Sequence, residues 1–142
     1  MAVGNGLGRV FNVVAVDADS VYVSLKDAEA VTFVCYKSGG DTYTISEASA
    51  AANGNSDAQT LAKITKVSTS DGVGGVWTDH VQAASEAYVS AADCAVFTIR
   101  ADQLSDGFKY LKCVSTSSGT VVAITHDLKV QRTPANLPSL IA

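Results

Sequence analysis

The sequence of 142 residues predicts an all-β fold: a single antiparallel β-sandwich or barrel-like domain of about eight or nine strands, with extended N- and C-terminal arms. Three observations predict it. Apolar and polar residues alternate with a period of two through most of the chain. Clusters of Gly, Ser and Asp interrupt the alternation at intervals of about eight to twelve residues, the spacing of strands joined by short turns. No proline occurs before Pro134, which suits ladder pairing because proline has no N–H to donate.

Taken in order, strands are expected near residues 9–16, 21–26, 31–37, 42–48, 61–69, 75–82, 86–90, 94–100, 108–115 and 120–131, two of which merge. Val21, Val23 and Leu25 alternate with Tyr22, Ser24 and Lys26. Val31, Phe33 and Cys35 alternate with Thr32 and Tyr36, although Val34 breaks the polar side. Ala95, Phe97 and Ile99 share one side of the next clear strand, and Leu111 and Cys113 oppose Tyr110, Lys112 and Val114. The longest run places Val122, Ile124, His126, Leu128 and Val130 on an apolar face. Ala123, Thr125, Asp127, Lys129 and Gln131 lie on the other, the pattern of a half-buried strand.

Turns are expected at Asp17–Ser20, Lys26–Ala30, Ser38–Asp41, Asp71-Gly72, Gly74-Gly75, Ser105–Gly107 and Ser117–Gly119. Between Ser46 and Lys66 a Ser56-capped helix competes with a polar loop around Asn53 followed by a strand. The β-branched residues near Ile64 and Val67 favour the loop and strand. A shift of 66 residues lays Val10-Phe11 on Val76-Trp77, Tyr22–Ser24 on Tyr88–Ser90 and Thr32 on Thr98, a faint internal repeat.

The domain is expected to span residues 9–132. Residues 1–8, with three glycines and Leu7, form a flexible arm. Residues 133–142 hold both prolines, Pro134 and Pro138, so the chain there is extended by constraint. Leu137, Leu140 and Ile141 lie on that stiffened arm with little local structure to bury them, so they are expected to dock on a neighbour or on the domain's own sheet. These five residues, with Leu7 and Asn53, are the candidate contact residues.

Charged residues make up 17% of the chain, below the roughly one quarter usual for globular domains, so a lightly charged surface can pack on protein with few ions to desolvate. The net charge of −4, without a run of Lys or Arg, argues against nucleic acid, whose binders need a basic stripe. No apolar run approaches the roughly 20 residues that span a bilayer, and the first residues lack the pattern of a signal peptide. Cys35, Cys94 and Cys113 have neither disulfide-framework nor zinc spacing and are expected as buried, reduced thiols.

Catalytic and metal-binding patterns are sparse. His126 is expected as a satisfied structural residue, with Asp127 pointing the opposite way, and His80 as a surface residue on a strand. No G-x-S-x-G elbow accompanies the many serines. Asp17, Asp19, Asp27 and Glu29 lack the order of a calcium loop and read as solvated turn carboxylates. The glycines at 72, 74 and 75 precede no Lys-Ser or Lys-Thr, so no phosphate loop is expected. Trp77 and the tyrosines are expected mainly in the core, the alternative being a sugar platform. No enzyme, cofactor or metal is expected.

The stretch from Gly119 to Pro138 (GTVVAITHDLKVQRTPANLP) resembles the C-terminal signature of a family of tailed-bacteriophage capsid-associated proteins. Phe33–Glu47, running into Ile45-Ser46-Glu47-Ala48, and Leu104–Phe108 are similar to it as well. The resemblance is weakest over the N-terminal arm. It implies a decoration or cement protein, made in the cytoplasm of a host bacterium and located on the capsid surface of the virion. Its partners would be the major capsid protein and copies of itself, as a dimer or trimer. The alternatives are a tail-tube or connector protein and a carbohydrate-binding, adhesive sandwich.

Overall fold

Residues 11–15, 21–49, 58–72 and 75–129 are described in a computed structural model. They form eleven strands: β1 (Phe11–Ala15), β2 (Val23–Ser24), β3 (Ala28–Tyr36), β4 (Thr42–Ala48), β5 (Gln59–Thr60), β6 (Ile64–Ser70), β7 (Thr78–Ser85), β8 (Ala87–Val89), β9 (Cys94–Arg100), β10 (Tyr110–Ser115) and β11 (Thr120–Leu128). The strands build two antiparallel sheets packed on each other, an all-β sandwich. The larger has six strands in the order β1-β11-β3-β9-β6-β7, and the smaller runs β2-β10-β4-β5, with β8 also on β4. Ten of these fall on the ten expected segments, none of which merge, and only the two-residue β5 was not expected. The contact residues expected in the arms and the 53 loop (Leu7, Asn53, Pro134, Leu137, Pro138, Leu140 and Ile141) all lie outside the described residues.

Alternation sets the core. Val31, Phe33 and Cys35 of β3 and Ala95, Phe97 and Ile99 of β9 point inward from the large sheet. Tyr43 and Ile45 of β4 and Leu111 and Cys113 of β10 meet them from the small one. The Phe33 and Phe97 rings stand 5.6 Å apart at 43°, a tilted contact favoured by the ring quadrupoles. Turn chemistry holds where it was expected: Gly39, Gly40, Gly72 and Gly107 all adopt positive φ.

One expected face and one expected turn are corrected. In β11, Val121, Ala123 and Thr125 are fully buried, so Val122, Ile124 and His126 face outward. Both sides of this strand are apolar enough to be buried. Pairing decides: Ala123 lies beside Phe33, where a small inward residue fits next to a large one. β3 begins at Ala28 rather than Val31, because Ala28 and Ala30 pair with Leu128 and His126 and extend the ladder through the anticipated turn.

The strand order is the same read from either edge. Matching β1 with β7, β2 with β8, β3 with β9, β4 with β10 and β6 with β11 reproduces every principal pairing. The 66-residue shift brings Thr32 onto Thr98 and Ser46 onto Lys112, and each of these couples is paired across the ladder. The topology therefore has a pseudo-two-fold relating its halves, with β5 outside it.

Two carboxylates tie turns to strands. Glu47 is fully buried, the next inward position after Tyr43 and Ile45. It accepts bonds from the Ser105 amide (2.8 Å), the Gln59 side chain (2.7 Å) and the Ser105 hydroxyl. Asp41 accepts from the Ser115 hydroxyl and from the amides of Thr42 (2.8 Å) and Ser117 (2.9 Å). Partial desolvation pushes the Asp41 pKa up, but these donors outweigh it and hold the carboxyl below its ordinary value. A depressed native pKa adds stability above the unfolded value, near 3.8, that is lost as pH falls through the native one. Denaturant midpoints measured against pH should therefore fall less steeply below about pH 4 for Asp41→Asn than for the parent chain.

Cys35 and Cys113 are buried and hydrogen-bonded to each other between the sheets, whereas Cys94 is only half-buried. The bond with Cys35, followed by burial, raises the Cys113 thiol well above its ordinary value. All three thiols are free. A thiol reagent should label Cys94 first in the native protein, and count three thiols only after unfolding. The Tyr43 hydroxyl is buried without a hydrogen-bond partner among the described residues, and burial raises its pKa. Tyr43→Phe removes that orphaned group and should raise the unfolding free energy by about 1 kcal/mol in urea titrations.

Candidate functional site

The outward residues of the large sheet differ between its two halves. On the β1, β11 and β3 side lie Val13, Val122, Ile124 and Val34, with Tyr36 at one end. On the β9, β6 and β7 side Val96 and Val81 share the face with Lys66, Arg100, Ser68 and Asp79. Val13 and Tyr36 are 50% exposed and Val81 is 78% exposed, and among the described residues no third layer covers them. Trp77, at the head of β7, is also 50% exposed, against the expectation of a core aromatic. A sheet face open to water usually turns polar residues outward, so this apolar half is the informative departure.

At the centre of the face, four side chains are linked in series. Asp127 has a left-handed backbone (φ 54°), and its carboxylate lies 3.0 Å from His126 Nδ1. This corrects the expectation that Asp127 points away, since a left-handed residue interrupts the strict alternation of a strand. His126 Nε2 is 2.9 Å from the Thr32 hydroxyl, which is 2.7 Å from that of Thr98. With the proton on Nδ1, the ring donates to Asp127 and accepts from Thr32. The sequence of acid, imidazole and hydroxyl is that of a nucleophile relay. Thr32 sits in the interior of the sheet. Its strand is paired on both sides, by β11 and β9, so the neighbouring amides serve the ladder rather than an oxyanion. What the chain of bonds does is clamp three adjacent strands across the pseudo-two-fold.

Beside the clamp, β6, β7 and β9 line a groove of about 710 Å³. Ile64, Val67, Val81 and Val96 supply its apolar surface, and Lys63, Lys66 and Arg100 its positive charge. Its carboxylate, Asp79, accepts the Ser68 hydroxyl at 2.7 Å, and His80 bonds the Thr69 hydroxyl at 2.8 Å. Arg100 lies 3.8 Å from Asp102, outside the lining. A register irregularity between Ile64 and Lys66 shapes this end, where the Gln82 side chain donates to the carbonyls of Ile64 and Ala87.

β7 is the edge of the sheet and is exposed along both faces. Beyond it the chain turns into β8 of the other sheet, where the Ile45 amide donates to the Glu86 backbone carbonyl at 2.8 Å. No family model matches the chain, and no curated protein or solved structure matches it. Among the described residues no three His, Cys, Asp or Glu gather as a metal-binding set, and no helix is long and apolar enough to cross a membrane.

Proposed function

We propose that the chain is a non-catalytic structural protein of a tailed-bacteriophage virion, seated on the outer capsid surface and cementing neighbouring major capsid protein subunits. The observation that carries the reading is the outer face of the large sheet, apolar over β1, β11 and β3, ending at the edge strand β7 and uncovered among the described residues. Exposed contiguous apolar surface of this kind marks protein contact. The resemblance of the Gly119–Pro138 stretch to capsid-associated proteins supplies the partner. Many copies, each bridging two or more subunits through a modest contact, add up to strong resistance to internal pressure.

The test is co-sedimentation of the purified chain with capsids built from the cognate major capsid protein. Saturable binding and a higher capsid disruption temperature are expected, and both should be lost in Val34→Lys/Ile124→Lys while circular dichroism stays unchanged. Failure of the parent chain to bind, or rings and tubes formed by the chain alone, refutes the reading. Deleting Pro134 to Ala142 tests the arm separately. The half-exposed Trp77 and Tyr36 favour a second reading, a carbohydrate-binding sandwich, for which glycan retention abolished by Trp77→Ala is the deciding result.

A further inference from the structure

We propose that the open edge of β7 takes an extended, acidic segment of another protein as an added strand, with Lys63 and Lys66 selecting its charge. The inference deepens the binding role proposed above and rests on that reading only for the identity of the partner.

Among the described residues β7 pairs with β6 on one side alone, so on the order of four of its residues direct N–H and C=O groups away from the ladder. Edge strands of soluble proteins are usually blunted by lysine, proline, a cover or short length. The eight residues Thr78–Ser85 hold no Lys, Arg or Pro, and their one carboxylate, Asp79, is held by Ser68. At the middle of the strand Val81 is 78% exposed. An edge of this kind is what β-strand addition requires: backbone groups for affinity and an apolar anchor for register.

Charge selects the occupant. Lys66 lies directly across the ladder from Val81, and Lys63 stands at the head of β6. A strand added to β7 lies about 9.6 Å from β6, two strand spacings, within joint reach of a lysine and a glutamate side chain. Both lysines are exposed, and neither forms an ion pair in the described structure. In a chain of net charge −4, this groove, with Lys63, Lys66 and Arg100 against the single carboxylate of Asp79, is a local inversion of sign, and it favours carboxylates on the incoming segment. A second copy pairing β7 with β7 would instead bring two cationic grooves together across the new seam.

The experiment uses the full chain and fluorescein-labelled octapeptides of alternating Val and Glu, read by anisotropy. Three controls are the same peptide with Lys for Glu, the Glu peptide N-methylated at alternate residues, and a Lys63→Glu/Lys66→Glu variant. The acidic peptide is expected to bind at least about tenfold more tightly than the Lys peptide, to weaken with salt, and to lose binding on N-methylation. The double variant should reverse the charge preference. Equal binding of both peptides, binding by neither, or indifference to N-methylation overturns the proposal. So does self-association of the chain that Val81→Arg abolishes, because a second copy is then the occupant. If capsids bind the parent and the double variant equally, this inference fails while the capsid reading stands. If the acidic peptide binds and capsids do not, the capsid reading fails while this inference stands.

Discussion

Gly40→Ala should lower the unfolding free energy by about 3 kcal/mol or more in urea titrations, among the largest effects available from a single methyl group. Two causes add. Gly40 has φ +86°, a conformation that costs an L-residue about 1 kcal/mol or more. A Cβ there would also stand 2.1 Å from the Ser90 carbonyl oxygen, a backbone atom that cannot swing aside. The neighbouring position separates the causes. Gly39 has φ +83° with open space around it, so Gly39→Ala carries the conformational cost alone, about 1 kcal/mol. If the two variants are equally stable, the close approach of the β3–β4 turn to Ser90 is wrong.

Glu47→Ala should cost about 3 kcal/mol, with a lower midpoint and accelerated proteolysis around Ser105. The substitution removes the acceptor for the Ser105 amide, the Ser105 hydroxyl and the Gln59 side chain, and opens a void at a fully buried position. Glu47→Gln keeps the volume and one acceptor oxygen, and should cost no more than about half as much. A Glu47→Ala protein as stable as its parent would mean that water replaces the carboxylate, and that the latch between β4, β5 and the turn after β9 contributes nothing.

The interior of β3 and β9 was legible because large residues alternate with polar ones: Val31, Phe33 and Cys35 against Thr32, and Phe97 and Ile99 against Thr98. Glu47 was equally legible by parity, as the third member of the series Tyr43, Ile45, Glu47, but a carboxylate in that series reads as the end of a core face. β11 was not legible. With Val121 and Ala123 on one side and Val122 and Ile124 on the other, only the large neighbours on β3 decide which side is filled. The exposure of β7 was hidden for a related reason: the sequence says how a strand alternates, not whether a second sheet lies beneath it. The clamp through His126 needed the left-handed backbone at Asp127, which the residue type permits without announcing. The cationic groove gathers Lys63, Lys66 and Arg100 from two strands that only the fold brings together.

The pseudo-two-fold has a consequence for how the chain must be made. β11, the last described strand to leave the ribosome, lies between β1 and β3, which emerge early. Until it arrives, both hold unpaired borders, and β3 must also wait for β9. Neither half can complete a sheet from its own strands, so the early segments are a template with a vacant slot rather than a finished unit. Long-range closure of this sort is slow, and open strand borders invite wrong partners in the interval. Nascent chains stalled before residue 120 should therefore associate with one another, and release of the remaining segment should separate them.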